Sequence, residues 1–273
     1  MESAVVRTIV LGFGALILAG PGSGRAAPAY VMAAVSDPAR PAEQVELDPW
    51  RKPAEVIAFA GLKPGDRIAD FMSGNAYFAR IFSRVVGPEG RVYAFLPAQQ
   101  IANCAPEETA GTKALERDHR YRNVAVEIAA ADQFSAPELL DMVWTAQDYH
   151  DLHDKFMAPT DVGAVNAAIF RALKPGGVFL VIDHVAEAAS GLRDTETLHR
   201  IDPDTIRTEV TAAGFVFESQ SDALRNPDDS HVKPVFDPAI RHRTDQVVLK
   251  FRKPGASIKG RGTGINSMPL ARR

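Results

Sequence analysis

The stretch Asp66-Arg-Ile-Ala-Asp-Phe-Met-Ser-Gly-Asn-Ala-Tyr-Phe-Ala-Arg80 constrains this chain more than any other. Ile68 to Phe71 reads as a buried strand, Ser73-Gly74-Asn75-Ala76 as a bend of small residues, and Tyr77 to Val86 as a helix. A strand that stops at a tight bend and feeds a helix presents free backbone N–H groups at the helix start. That geometry suits the polar or anionic part of a nucleotide-like ligand. Function is therefore expected at the edge where this strand ends.

The same alternation runs along the chain. A helix is predicted from Pro53 to Gly61, with proline in its first turn. After the helix 77–86 come a strand at Arg91–Leu96 and a helix-compatible segment, 98–118, interrupted by Pro106. Strands at Asn123–Ile128 and Leu140–Thr145 follow, separated by a loop carrying Asp132. Val162 to Leu173 has Val165, Ala168, Ile169 and Ala172 on one helical stripe. Lys174-Pro-Gly-Gly177 then leads into the apolar run Val178–Ile182. A further helix at 202–213 ends at Gly214, and strands at 215–219 and 246–252 close the pattern. Continuous apolar runs alternating with helices indicate parallel strands buried on both faces.

The N-terminus reads differently. Arg7 precedes the apolar run Ile9 to Ala19, and Ala27-Pro-Ala29 offers small residues at a cleavage site. The run is too short to span a bilayer but suits the core of a signal peptide. Residues 1–29 are thus expected to be a signal peptide, giving a periplasmic or secreted protein with no stable membrane insertion after cleavage. Residues 30–52, with Pro38, Pro41 and Pro49, read as an extended N-terminal arm. Residues 53–254 form the domain proper, and 255–273 a disordered basic tail. The formal charge of -3 gives no footprint for nucleic acid. One cysteine, Cys104, allows no intrachain disulfide.

Three stretches carry a family resemblance: Gly61-Leu-Lys-Pro-Gly-Asp-Arg-Ile-Ala-Asp70, Ala172-Leu-Lys-Pro-Gly-Gly-Val-Phe-Leu-Val181, and Thr211-Ala-Ala-Gly-Phe215 ahead of a strand. With five strands each followed by a helix and two closing strands, the chain resembles the class I S-adenosylmethionine (SAM)-dependent methyltransferases. Arg51-Lys-Pro-Ala-Glu-Val-Ile-Ala-Phe59, Asp148-Tyr-His-Asp151 and Thr244-Asp-Gln-Val-Val-Leu-Lys-Phe-Arg-Lys-Pro254 resemble a group of predicted exported bacterial members. The resemblance implies an α/β fold: a Rossmann-like, doubly wound seven-stranded sheet, mostly parallel with one antiparallel C-terminal strand. It also implies SAM as cofactor and a small-molecule substrate or unknown methyl acceptor.

The resemblance implies a cofactor site at Asp70, Ser73, Gly74, Asn75, Ala76, Tyr77, Leu96, Asp132 and Gln147. Two of these depart from the family pattern. Its glycine-rich turn keeps only Gly74, and the second strand ends in Leu96 where an acid usually accepts from the ribose hydroxyls. Asp148-Tyr-His-Asp-Leu-His-Asp154 is the densest polar cluster; from it His150 is expected as general base and Asp151 as its orienting or substrate-binding partner. No residue is assigned as a metal ligand. Three other readings compete. The scaffold could be a non-catalytic binding protein that has lost SAM. A metal-dependent enzyme could use His150, His153 and Asp154, with His184 joining. The segment could also be a solvated helix start capped by Asp148, its histidines exposed.

Overall fold

The computed structural model describes residues 26–255. The apolar run Ile9–Ala19 and residues 256–273 of the tail lie outside the described residues. Among those described, no helix is long and apolar enough to cross a membrane.

Seven strands form one sheet in the order β3-β2-β1-β4-β5-β7-β6. Their ranges are β1 Arg67–Phe71, β2 Arg91–Pro97, β3 Val124–Ala129, β4 Leu140–Ala146, β5 Leu173–His184, β6 Val216–Ser221 and β7 Gln246–Arg252. β1 to β5 pair in parallel, while β7 runs antiparallel to both β5 and β6. The expected doubly wound sheet with one antiparallel C-terminal strand is what the chain forms.

Alternation along β5 shows why both faces are covered. Leu180 and Ile182 enter one core cluster, with Ile68, Phe82 and Trp144; Phe179 and Val181 enter the other, with Phe71, Phe95 and Ile169. A polar side on either face would leave one helix layer with nothing to bury against. Trp144 packs against Phe78 and Phe82, at ring-centroid distances of 4.8 and 5.1 Å. Truncating a side chain such as Phe82 to alanine costs about 3–5 kcal/mol in such a core.

The helices are α1 Ala29–Val35, α2 Ala42–Val45, α3 Asp48–Arg51, α4 Pro53–Ala60, α5 Tyr77–Val86, α6 Ala98–Asn103, α7 Glu107–Leu115, α8 Val162–Ala172, α9 Thr195–Leu198 and α10 Pro203–Ala212. Sequence logic is visible at their ends. The Asp161 carboxylate accepts the Ala164 N–H at the start of α8, and Asp202 accepts from Asp204 where Pro203 opens α10. Pro106 splits 98–118 by capping α7.

The N-terminal arm departs from expectation. Residues 30–52 are not extended but run through α1, α2 and α3. Prolines read as breakers sit where a helix tolerates them: Pro41 as the residue before α2, and Pro49 in the first turn of α3. Ala29, the expected cleavage point, opens α1, and Ala27 packs against the core. Asp48 fastens the arm, accepting both terminal nitrogens of Arg40 (2.7 Å each) and the Tyr77 hydroxyl (2.6 Å).

Candidate functional site

β1 ends at Phe71, and the bend that follows is built on left-handed residues: Met72 and Ala76 at φ 61, Gly74 at φ 53. Such angles are uncommon for non-glycine residues and mark a backbone held in place by its surroundings. The Ser73 N–H donates to the Phe95 carbonyl (3.0 Å) and the Ala76 N–H to the Ser73 carbonyl (2.9 Å). Among the described residues, the N–H groups of Gly74 and Asn75 meet no acceptor. Asn75 Oδ1 accepts the Gly111 N–H (2.6 Å), tying the bend to α7.

Met72 and Tyr77 are buried, but they do not fill the space above the bend. A cavity of about 590 Å³ opens there, bordered by the ends of β1, β4 and β5 and roofed by the arm. Its size falls within the ordinary range for small-molecule sites.

Several polar groups in its wall lack partners. Gln44 donates through Nε2 to the Asn75 carbonyl (2.8 Å), while its Oε1 is buried without a partner. Gln100 Oε1, from α6, is in the same condition. The Arg51 guanidinium stands 4.5 Å from the centre of the Tyr77 ring and forms no ion pair among the described residues. Burial pulls the Arg51 pKa down, opposed by Tyr77, Asp148 and Asp70.

At the floor, Asp70 accepts the Ser73 hydroxyl (2.7 Å), which in turn accepts from Thr112 (3.2 Å). Burial pushes the Asp70 pKa up to about 7, against the Ser73 and Ala79 hydrogen bonds and the Arg51 charge. Cys104 also borders the cavity, but burial and the nearby Glu108 and Asp151 push its thiol up to about 11. It is not a thiolate nucleophile at neutral pH.

The opposite wall carries the histidines. His150–His153 form one 3-10 turn, followed by extended Asp154. His150 and Asp154 are only 2% and 4% exposed, so the solvated, exposed helix start is not what forms. Asp183, fully buried at the end of β5, accepts the His150 backbone N–H (2.8 Å) and lies 2.8 Å from His150 Nδ1. His150 Nε2 faces Asp151 Oδ1 at 3.0 Å and His199 Nδ1 at 3.3 Å. Burial works against charge on His150, but Asp183 and Asp151 win and hold its pKa well above the usual range. Both ring nitrogens are thus engaged, and His150 in this state has no free lone pair for the general-base role expected of it.

The structure brings Asp70, Ser73, Gly74, Asn75, Tyr77, Gln147, His150 and Asp151 to one cavity. It leaves out three of the expected cofactor residues. Ala76 is buried behind the bend, and Leu96 is wholly buried in β2 away from the cavity lining. Asp132 sits on a short 3-10 turn, Ala131–Gln133, and does not reach the lining either. His153 turns instead to Glu209 (3.2 Å), and His184, which does border the cavity, hydrogen-bonds the Thr244 hydroxyl (2.8 Å). Gln44, Arg51, Gln100 and His199 were not foreseen as site residues. Arg51 lies in the stretch Arg51-Lys-Pro-Ala-Glu-Val-Ile-Ala-Phe59 that carries part of the resemblance, and Gln100 in the helix-compatible segment 98–118; Gln44 and His199 lie in no motif.

No family model matches the chain. It is 28% identical over 128 residues to a protein-L-isoaspartate O-methyltransferase of Ignicoccus hospitalis, covering 47% of this chain and 52% of that protein. It is 27% identical over 147 residues to the ubiquinone/menaquinone biosynthesis C-methyltransferase UbiE of Vibrio cholerae, covering 53% of this chain and 52% of that one. The chain thus spans about half the length of the curated relatives it matches. Among solved structures, it is similar to a SAM-dependent methyltransferase from Aquifex aeolicus (TM-score 0.53, 16% identity, 78% of this chain and 94% of that one). It is similar also to the [4+2]-cyclase SpnF (TM-score 0.55, 17% identity, 80% and 84%). A methyltransferase and a cyclase on one architecture show that the scaffold alone does not fix the reaction.

Proposed function

From a chain that has the class I SAM-dependent methyltransferase fold, we propose an enzyme that transfers a methyl group from SAM to a small-molecule acceptor. The observation that carries this reading is the cavity above the Ser73–Ala76 bend, with unpartnered amides beneath it and unpartnered side chains around it.

The donor set fits the cofactor. Arg51, without a carboxylate of its own, would hold a carboxylate group, and Asp70 with Gln44 Oε1 would take an ammonium. Gln100 Oε1 would accept from a hydroxyl, a task the family usually gives to an acid at the position of Leu96. Bound there, SAM supplies an electrophilic methyl on a sulfonium centre. Asp151 places a carboxylate on the far wall, where an acceptor nucleophile would lie, and His150 and Asp148 add hydrogen-bonding groups, the Asp148 carboxyl being pushed well above the usual range by burial and by Asp151. His150 and His199 hold Asp151 ionised despite its burial. The apolar run Ile9–Ala19 and Ala27-Pro-Ala29 support export to the periplasm or outside the cell.

Titration calorimetry with SAM and S-adenosylhomocysteine tests the reading. Saturable binding of both is expected; no heat and no thermal shift at millimolar ligand would overturn it.

A further inference from the structure

We propose that His150, Asp151, Asp154 and His199 form a site for one first-row divalent cation of the zinc class. The donors converge from two segments far apart in sequence. Three come from the turn 150–154, and the fourth from His199, which ends α9 in a left-handed conformation (φ 52, ψ 52). One ligand atom from each lies within 4.8 Å of all the others. His150 Nε2 is 3.0 Å from Asp151 Oδ1 and 3.3 Å from His199 Nδ1. His199 Nδ1 is 3.6 Å from Asp151 Oδ1 and 4.0 Å from Asp154 Oδ2. A tetrahedral zinc with bonds of about 2.0–2.1 Å separates its ligands by roughly 3.3 Å. The three edges among His150, Asp151 and His199 therefore already lie close to those of a coordination tetrahedron, and Asp154 stands somewhat farther out.

Two independent observations favour a cation at this cluster. Asp154 is 4% exposed, yet its Oδ1 has no hydrogen-bond partner. The oxygen that faces the other donors is Oδ2, 4.0 Å from His199 Nδ1; a buried carboxylate short of partners is costly, and a cation held by it would offset that cost. Behind the cluster, Asp183 engages His150 Nδ1, fixing the ring so that Nε2 points at the other donors; the cation would take the place of the Nε2 proton, which is released to solvent. A buried carboxylate on the far nitrogen is the usual support of a metal-binding histidine. His199 is also braced from outside by Phe236, whose ring stands edge-on at 4.9 Å. A left-handed non-glycine residue carrying a donor is strain of the kind that clusters at functional sites.

The chemistry of the set selects the ion. Two imidazoles with two carboxylates suit zinc, iron or manganese, whereas magnesium prefers an all-oxygen shell that keeps its waters. His153 and His184, the other histidines of the neighbourhood, are committed to Glu209 and Thr244. His150, Asp151 and His199 all border the cavity, so the ion would be reached from it. The inference stands apart from the methyl-transfer reading, since metal and cofactor binding are measured separately.

Full-length protein stripped with EDTA is titrated calorimetrically with ZnCl2, MnCl2 and MgCl2. One equivalent of Zn²⁺ is expected, with magnesium bound at least tenfold more weakly. Asp154→Asn and His199→Ala should each weaken zinc about 100-fold, Asp183→Asn about 10- to 100-fold, and His153→Ala not at all. Wild-type protein that melts cooperatively but takes up no zinc overturns the proposal, as does wild-type affinity in both Asp154→Asn and His199→Ala. Should a variant fail to fold, cobalt substitution of the wild type decides: the visible band of four-coordinate Co²⁺ supports the site, and its absence removes it. S-adenosylhomocysteine titrated into the stripped protein reports on the cofactor reading alone.

Discussion

Asp183 serves His150 with both carboxylate oxygens: Oδ1 lies 2.8 Å from the ring Nδ1, and Oδ2 accepts the backbone N–H of the same residue at 2.8 Å. Oδ1 also accepts the N–H of His184 (2.7 Å), so one buried side chain positions two residues of the cavity wall. Replacing it with asparagine keeps the volume but puts a donor where only acceptors fit. Asp183→Asn is expected to lose about 1–3 kcal/mol of stability in urea unfolding. An unchanged midpoint would mean that the ring is held by packing alone.

Arg51 bears the recognition of a carboxylate in the proposed cofactor site. Arg51→Ala should raise the dissociation constants of SAM and S-adenosylhomocysteine about 10- to 100-fold, while the melting temperature moves little because no ion pair is lost. Calorimetry on the variant checks this. Equal affinities for the variant and the parent would move the ligand's carboxylate away from the arm.

Leu96 illustrates how a sequence argument changes once packing is known. By family position, Leu96→Asp would restore a ribose contact and tighten binding. Leu96 is fully buried and absent from the cavity wall, so the substitution instead buries a carboxylate without a partner. A loss of about 3 kcal/mol or more is expected in chemical denaturation, with no gain in affinity. Gln100→Ala is the informative change there, and it should weaken nucleoside binding roughly tenfold.

Asp70 predicts a pH dependence of definite sign. Its carboxyl, pushed up to about 7 by burial, keeps a proton in the folded state that the unfolded chain releases near 3.8. Between those values the native state binds more protons, so this residue's contribution to stability falls as pH rises and levels off above 7. Over that window the fall is on the order of 4 kcal/mol. Unfolding at pH 5 and pH 8 should show a smaller difference in Asp70→Asn than in the parent. Because SAM is cationic, its binding near pH 7 should also release a proton, visible as buffer-dependent heats; equal heats in buffers of different ionisation enthalpy would remove the carboxylate from the contact.

The scaffold was legible because its signals are local and repeated. The bounds of α5 and β7 agree with those read from sequence, since apolar periodicity runs uninterrupted between a bend and a glycine, or across a whole strand. The cavity was legible only on one side. Asp70 to Tyr77 and His150 to Asp151 lie at strand ends, where topology alone places them. Gln44, Arg51 and His199 reach the site from short helices with no periodicity to mark them, and only tertiary contacts such as Asp48 with Tyr77 bring the arm over the bend. Asp183 did leave a trace: a carboxylate ending a strand as apolar as Val178–Ile182 must be paired with something.

The arm that carries Gln44 and Arg51 includes two helices of four residues each, α2 and α3. Helices that short do not persist by themselves, and these depend on a handful of side-chain ties, chiefly those of Asp48. The sheet holds the floor of the cavity through its whole ladder of paired strands, while the roof hangs by a few threads. Exchange of a bound molecule would therefore proceed by the roof peeling back, leaving the floor in register throughout.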